Sequence, residues 1–413
     1  MMDTVLKCFP KSFEDSNSTK PSDEFLKGTL AYNTNLWYIY NEQFSFAVPF
    51  FVVFLGLLCY YIFVPADYSP NAGTVGYILD YIDKAVPGRR DRKSHRKKTL
   101  EKLVEDIHRT CKVGNIPPVY PNGWFVLLES SDLRKEQAKN VSVLGENLTV
   151  FRKSDGTIQV QDASCPRCSK TGTEGETGGA DCRLFSACRR KIDGAAKRET
   201  ESVQVRTWRS CEVNHCVFVW YHAEGKEPTF ELQPVKQVIN GDWWLIGRSI
   251  HNNVRGHAQS DVNIDQTRDD WTWLERPPGC SSHIATGLFS YRLRLAGKFT
   301  IFSSTVTVTQ VGPGYAELLV SSRFGKIMLI NQGTPIEPLR HKIIARIYAP
   351  PILLLKARLF LTFSTDMFQR DVVMWEFKKH QDKPILVKEE ELILRFRRYY
   401  NQFYSSNSIR YYE

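Results

Sequence analysis

The sequence has little that would mark a secreted or a repetitive protein. No apolar segment lies close to Met1, so no cleavable signal peptide is predicted. The ten cysteines among 413 residues are not spaced as in a secreted disulfide framework, which favours reduced thiols. Internal repeats and low-complexity tracts are also absent from the sequence. A hydrophobic fraction of 42% and a charged fraction of 24% are those of a folded protein, and the length predicts two domains with additional segments.

One long apolar segment stands out from this composition. Residues 44–64 contain no charged side chain and, as a helix, would span roughly 30 Å of hydrocarbon. Aromatic side chains flank both ends, as in the aromatic belt of a membrane interface. They are Trp37, Tyr38, Tyr40, Tyr60 and Tyr61. We therefore predict a single transmembrane helix over residues 44–64, with a buried core helix as the alternative.

Much of the positive charge lies close behind this segment. The net charge is +10, and residues 89–98 hold seven basic residues and one acid. Under the positive-inside rule this run places the body that follows in the cytosol and residues 1–43 in the lumen, where Asn17 begins a glycosylation sequon. The run suits anionic lipid headgroups, or it is a solvated linker. The expected partner is therefore a membrane, that of the endoplasmic reticulum, and not a nucleic acid.

The rest of the chain has the patterns of an α+β protein. Residues 99–110 have a helical pattern within a juxtamembrane segment, 65–115. Short strand and turn patterns predict a small antiparallel β domain over residues 116–225, with a cysteine-containing segment inserted in it. A larger domain over residues 226–413 follows, and a long helix is predicted within it over residues 351–377.

The inserted segment, residues 165–194, is rich in glycine and has no helical period. Four of the ten cysteines lie in it, at positions 165, 168, 182 and 188. Two facing backbone knuckles of this composition can hold a metal ion or an iron–sulfur cluster, and four thiolates suit Zn²⁺ or an all-cysteine cluster. The second pair is spaced more widely than is usual for zinc, so four free cysteines in a loop stay an alternative.

A series of motifs, in order along the chain, resembles the cholesterol 7-desaturases of the Neverland type, which are Rieske oxygenases. The match runs from about Lys112 to Tyr404 and includes the N-terminal apolar segment. The sequences that carry it are IPPVYPNGWF (116–125), DASCP (162–166), VRTWRSCEVN (205–214), VWYHAEGKEPTFEL (219–232), GPGYAELL (312–319), TPIEP (334–338), MFQRDVVMW (367–375) and RRYYNQFYS (397–405). The resemblance implies a Rieske-like β domain over residues 116–225. It also implies a helix-grip catalytic domain with an apolar cavity over residues 226–413.

The resemblance also implies an activity. Electrons from a reductase would pass through a [2Fe–2S] cluster to a mononuclear Fe(II), which activates O2 and removes hydrogens from C7 and C8 of a sterol. Such an enzyme would be anchored in the membrane and would face the cytosol. Related oxygenases assemble as trimers, so a homo- or hetero-trimer is implied as well.

The family's cluster ligands are only partly present. The positions of its Cys-x-His and Cys-x2-His pairs fall on Cys165, Arg167, Phe185 and Cys188. Arginine stays protonated and phenylalanine has no donor atom, so only Cys165 matches. We therefore expect the family's fold without a Rieske cluster. A site made of Cys165, Cys168, Cys182 and Cys188 would bind zinc or an all-cysteine cluster instead, or no metal at all.

The family's ligands for the mononuclear iron are also only partly present. The third ligand of the family, an acid before Val-x-x-Trp, is retained as Asp371. The two histidine positions fall on Asp270 and Glu275, or on the residues just before them, and no histidine lies nearby in the sequence. Asp270, Glu275 and Asp371 would form an all-oxygen site with a weaker field than the family's triad. Two functions stay open, an active cholesterol 7-desaturase and a catalytically inactive paralogue that binds a sterol or a partner.

The remaining candidate residues occur singly or in apolar surroundings. Four histidines are predicted to be structural or surface residues, and they are His215, His222, His251 and His341. Two cysteines flanking a strand turn, Cys211 and Cys216, are predicted to lie in the core. Four tryptophans of the larger domain are predicted to pack, with the lining of a sterol cavity as the alternative, and they are Trp243, Trp244, Trp271 and Trp273.

Overall fold

A computed structural model describes residues 48–61, 64–69, 114–163, 205–255, 272–274, 282–295, 299–376, 380 and 391–411. The chain divides into two compact units at Val64. The first unit contains helix α1, residues 48–61, whose side chains are exposed throughout. Among the residues described, no helix is both long enough and apolar enough to cross a membrane. The transmembrane helix therefore stays a prediction, and the helix predicted over residues 99–110 lies outside the described residues.

The predicted small antiparallel β domain is confirmed, and it consists of two sheets. The three-stranded sheet has the order β2–β8–β7, and the four-stranded sheet has the order β3–β4–β5–β6. The strands are β2 Gly123–Glu129, β3 Ala138–Val143, β4 Glu146–Arg152, β5 Ile158–Asp162, β6 Thr207–Trp208, β7 Ser210–Val213 and β8 Cys216–Tyr221. The insertion between β5 and β6 contains the cysteine segment, of which residues 164–204 lie outside the described part.

Strands β2 and β8 are buried along their whole length, which explains their nearly continuous apolar sequences. Successive side chains of a strand point to opposite faces. Trp124 and Val126 accordingly join the core shared with the larger domain, whereas Phe125 and Leu127 join the core of the small domain. The same sheet therefore belongs to two hydrophobic cores and connects the two domains.

The larger domain is built on a sheet of eight strands with the order β1–β9–β15–β14–β13–β12–β11–β10. The strands are β1 Ala66–Asp67, β9 Trp244–Arg255, β10 Thr272–Leu274, β11 Ile284–Leu295, β12 Phe299–Val311, β13 Tyr315–Ser322, β14 Gly325–Glu337 and β15 Arg340–Ala349. Apart from the parallel pair β1–β9, all neighbouring strands run antiparallel. The α+β class is therefore confirmed, with the β content dominant.

Three helices accompany this sheet, namely α2 Lys236–Ile239, α3 Leu354–Glu376 and α4 Glu391–Asn401. The long predicted helix is confirmed as α3, which follows a short 3-10 turn over Pro351–Leu353. Helix α3 packs on one face of the sheet, chiefly on β9 and β15, through side chains such as Leu354 and Leu361. The opposite face packs against the three-stranded sheet and the aromatic side of α4. The eight-stranded sheet is thus the middle layer of the molecule.

The turn between β12 and β13 fixes how the two domains meet. Gly312 has φ +65°, a conformation that favours glycine. A Cβ added at Gly314 would lie 2.8 Å from the Phe125 ring and 2.8 Å from the carbonyl oxygen of Trp124. Only a glycine therefore allows this turn to lie directly against β2.

Candidate functional site

Asp371 is the one predicted metal-ligand position that the structure describes. It lies near the end of α3, and its side chain is half-buried. The other predicted positions lie outside the described residues, and they are Cys165, Arg167, Cys168, Cys182, Phe185, Cys188, Asp270 and Glu275. Within the described ranges, no group of three His, Cys, Asp or Glu side chains is placed to hold a metal ion. The four-thiolate site and the all-carboxylate site therefore stay predictions.

The helix turns around Asp371 present an apolar and aromatic surface to the sheet. Phe368, Val372 and Trp375 recur at the spacing of one helix face. They form a cluster with Val254 of β9 and Ile343 of β15. Asp371 lies on the same helix turns and directly precedes Val372 of this cluster.

His251 of β9 lies beneath this part of α3. It is 3% exposed, and its ring centroid lies 4.4 Å from that of Phe368. Its Nε2 lies 2.8 Å from the hydroxyl of Ser249, while its Nδ1 has no hydrogen-bond partner in the described part of the chain. Burial lowers the pKa of His251 to about 4, because the charged imidazolium is poorly solvated there. The imidazole is therefore neutral near pH 7, and the prediction of a structural role is consistent with its burial.

Further buried polar atoms on α3 and on the sheet face toward it lack a hydrogen-bond partner among the described residues. They are the Nε1 of Trp375, the Oγ1 of Thr365 and the Oγ of Ser304, and all three residues are buried. Ser304 shares a sheet face with Val306, which packs against α3. Buried polar groups are normally hydrogen-bonded, so such a group calls for a bound water molecule or a ligand. Sequence patterns did not point to these atoms, since each residue by itself is typical of a core.

The opposite face of the sheet contains a buried ionic network. Glu129, at the end of β2, is 2% exposed and forms ion pairs with Arg346 of β15 and Arg248 of β9. The Nε of Arg346 lies 3.2 Å from the Oε1 of Glu129, and Arg248 also pairs with Asp67 at 3.0 Å. A single buried carboxylate would be strongly unfavourable, so the two guanidinium groups make its position possible. The network joins the small domain to the large sheet.

Arg346 also binds the turn that ends the VRTWRSCEVN motif. It donates hydrogen bonds to the carbonyl oxygens of Asn214 and His215, at 3.1 and 3.0 Å, and contacts the sulfur of Cys216 at 3.0 Å. The Asn214 amide donates to the Tyr315 hydroxyl at 2.8 Å. Asn214 and His215 have φ of 49° and 60°, as a tight hairpin turn requires. The core prediction is confirmed for Cys216, whereas Cys211 is half-buried and burial raises its pKa to about 12.

A cationic cavity lies at the edge of the small domain. It measures about 420 Å³, and its walls include Trp208 and Lys226. The guanidinium of Arg206 lies 4.0 Å from the ring centroid of Trp208, and Arg209 pairs with the exposed Glu227 at 2.7 Å. Lys226 pairs with Glu224 in the same way. The cavity thus combines an aromatic ring with the Arg206 guanidinium and two paired cations.

Two family models match separate parts of the chain. The Rieske [2Fe-2S] domain matches residues 123–208, and the 3-ketosteroid 9alpha-hydroxylase C-terminal domain matches residues 281–404. The fold agrees with a crystal structure of dicamba monooxygenase bound to 3,6 dichlorosalicylic acid, with a TM-score of 0.50 and 12% identity over 70% of this chain and 98% of that one. The two-domain architecture is therefore that of Rieske-type oxygenases.

Relatives with higher sequence identity show which family within this class the chain belongs to. A cholesterol 7-desaturase of Ciona intestinalis is 30% identical over 87% of this chain and 82% of its own length. The cholesterol 7-desaturase of Drosophila melanogaster is 29% identical over 76% of this chain and 82% of its own. The chain belongs to the cholesterol 7-desaturase family.

Proposed function

We propose that this protein acts on a sterol in the manner of its family, by introducing the C7–C8 double bond. Similarity to cholesterol 7-desaturases over 87% of the chain is the observation that carries this proposal. The fold supports it, because Asp371 lies on a helix whose aromatic face, with Phe368 and Trp375, covers an apolar part of the sheet. The unpartnered nitrogen atoms of His251 and Trp375 are suited to hydrogen-bond a ligand's hydroxyl or carbonyl oxygen.

The residues do not fit the family's cofactors as the family holds them. A Rieske centre needs two imidazoles on one iron, and Arg167 and Cys188 occupy those two positions, while Phe185 replaces one of the thiolates. The mononuclear iron of the family needs two histidines beside Asp371, and neither is present. We therefore assign no reaction step to either iron site. Cys165, Cys168, Cys182 and Cys188 form the donor set that suits a metal best.

This donor set favours a second candidate function, which is sterol binding without turnover. Such a protein would keep the fold and the apolar surface under α3 while lacking the electron path. It would compete for sterol with active family members or assemble with them in a trimer. Both candidates require that a sterol binds, and they differ only in the redox step.

Metal content and turnover distinguish the two. Purified full-length protein is analysed for iron, sulfide and zinc, and is incubated with cholesterol, NADPH, a reductase and O2 while 7-dehydrocholesterol is measured. Product that disappears in the Asp371→Ala variant supports desaturation. Sterol binding without product, with zinc or no metal present, supports the second candidate. The triple variant Arg167→His, Phe185→Cys and Cys188→His should then gain the Rieske electron-spin signal.

We further propose that residues 44–64 anchor the chain in the endoplasmic reticulum membrane with the body in the cytosol. The uncharged sequence and the basic residues 89–98 support this orientation. Resistance of the full-length chain to alkaline carbonate extraction is the expected result. Glycosylation at Asn140 or Asn147 in place of Asn17 would contradict the orientation.

The proposed electron donor is an acidic reductase. The Arg206 guanidinium at the cavity supports this, since a cationic group steers an acidic partner, whereas Arg209 and Lys226 are already paired with glutamates. The Arg206→Glu variant should weaken reductase binding measured by titration, and the weakening should shrink at high salt. An unchanged affinity would place the docking surface elsewhere.

A further inference from the structure

Helix α3 has a second apolar face, opposite the one that packs on the sheet. Leu355, Leu359, Phe363 and Met367 follow one another at a spacing of four residues, and between 44% and 70% of each is exposed. This spacing places them in one row along about 18 Å of the helix. Leu361, by contrast, is fully buried against the sheet. The helix is therefore apolar on two opposite sides, and protein covers only one of them within the described structure.

The row continues beyond the start of the helix. Ile352 is 89% exposed, and Phe324, at the tip of the β13–β14 hairpin, is 56% exposed. Lys356 holds this tip against α3, because its ammonium donates hydrogen bonds to the Ser322 hydroxyl at 2.6 Å and to the Gly325 carbonyl at 3.1 Å. We call the six apolar side chains the α3 stripe, and they are Phe324, Ile352, Leu355, Leu359, Phe363 and Met367. A contiguous exposed surface of this kind marks an interaction site.

The charges around the α3 stripe indicate what covers it. Arg323 and Lys326 are exposed beside Phe324, and the guanidinium of Arg323 lies 4.6 Å from the ring centroid of Phe324. Lys356 of α3 follows Leu355 directly, and the exposed acid next to Met367, Asp366, is paired with Arg370. An apolar row with cations beside Phe324 that form no ion pair among the described residues complements an anionic lipid surface, whose headgroups pair with the cations while the apolar side chains reach the acyl boundary.

We propose that the α3 stripe rests on the surface of a lipid bilayer that contains anionic headgroups. The inference rests on the proposed membrane association and adds that the folded body itself contacts the bilayer, independently of residues 44–64. A sterol leaving the bilayer would then need only a short path to the protein. The surface also explains why large apolar side chains are kept on the outside of a helix whose other face already supplies the core.

The test uses the full-length chain with a protease site inserted between Lys98 and Thr99. The chain is reconstituted in vesicles of phosphatidylcholine and phosphatidylserine, cleaved in place, and the vesicles are floated. The cleaved body should float with the vesicles. The variant Leu355→Gln, Leu359→Gln and Phe363→Gln should release roughly tenfold more body into solution, because three apolar side chains lose their burial in lipid. A matched variant with Ile239→Gln and Ile409→Gln, which changes exposed apolar residues outside the stripe, should float like the parent.

Several outcomes would overturn the proposal. The parent body could be released on cleavage, or it could float equally well in the stripe variant with unchanged circular dichroism. Released body that sediments as an oligomer, and as a monomer in the stripe variant, would show that the stripe joins copies of this chain instead. A failure of residues 44–64 to anchor the chain gives a different result. The uncleaved stripe variant would then fail to float, whereas the uncleaved parent would still float.

Discussion

The two faces of the eight-stranded sheet hold their polar groups in different ways. On the face toward the small domain, Arg346 is surrounded by the Glu129 carboxylate, two backbone carbonyl groups and the sulfur of Cys216. On the face toward α3, the Nδ1 of His251 and the Nε1 of Trp375 have no hydrogen-bond partner among the described residues. The hydrogen bonds of Arg346 are those of a permanent interface between domains, although the buried amide of Gln332 on the same face also has no hydrogen-bond partner among the described residues. The face toward α3 has polar atoms to which a ligand or a water molecule can hydrogen-bond.

We therefore expect the face toward the small domain to contribute mainly to stability, and the face toward α3 to contribute mainly to ligand binding. Paired charges beneath the small domain stabilise a fixed orientation, and removing one partner would leave a buried charge behind. Unpartnered donors beneath α3 contribute little to folding, so their substitution should affect ligand binding more than unfolding. Three predictions test this division, and a fourth tests the turn that brings the two domains together.

The largest effect is expected at Glu129. The Glu129→Gln variant leaves Arg346 and Arg248 without a buried counter-charge, so the free energy of unfolding should fall by about 3–5 kcal/mol. Denaturant unfolding of the full-length protein measures it. The Glu227→Gln variant removes a solvent-exposed ion pair with Arg209 and should leave the free energy of unfolding nearly unchanged. Equal losses in the two variants would contradict the special role of the buried network.

The next effect concerns pH and His251. Its pKa is about 4 in the folded protein and about 6.5 in the unfolded chain, so the unfolded chain binds more protons between these values. Stability should therefore be unaffected by this group above pH 6.5 and should fall by on the order of 3 kcal/mol as the pH is lowered toward 4. The His251→Gln variant should show a flatter dependence in that window. An unchanged slope would mean that His251 is not buried as the structure places it.

A smaller effect is expected at the turn between β12 and β13. The Gly314→Ala variant puts a Cβ against the Phe125 ring and the Trp124 carbonyl, and should cost about 1–3 kcal/mol of stability. Gly333 is a matched control, because a Cβ added there meets no atom within 4 Å. Thermal unfolding of the Gly314→Ala and Gly333→Ala variants measures the difference. If the Gly333→Ala variant is the less stable one, the close contact is not what selects glycine at the turn.

The smallest effect on stability is expected at Trp375. The Trp375→Phe variant removes an N–H that has no partner in the described part, so the free energy of unfolding should change by less than about 1 kcal/mol. The Trp124→Phe variant loses a buried hydrogen bond of 2.8 Å to the Phe230 carbonyl and should lose about 1–3 kcal/mol. Sterol affinity should fall more in the Trp375→Phe variant than in the Trp124→Phe variant. Equal stability losses would remove the contrast between the two faces.

Local patterns in the sequence were enough to predict the small β domain and the helix α3, but not most strands of the large sheet. The short apolar runs of β2 and β8, and the length of the apolar segment before Asp371, are properties of neighbouring residues. The contacts of Glu129 with Arg346 and Arg248 depend on residues far apart in the sequence, and a glutamate at the end of an apolar strand was the only local signal. His251 gave none, because its burial and its unpartnered nitrogen follow from packing against Phe368. Asp371 was predicted from the resemblance alone, and the four-cysteine segment stays a prediction.

Sterol binding by the full-length protein tests the central claim most directly. The protein is titrated into a fluorescent sterol, and unlabelled cholesterol is then added as a competitor. We expect saturable binding that cholesterol displaces, and weaker binding in the Trp375→Phe and His251→Gln variants, whose ring nitrogens would no longer be available to the ligand's oxygen. Absence of saturable binding in a folded, full-length sample would contradict both candidate functions at once.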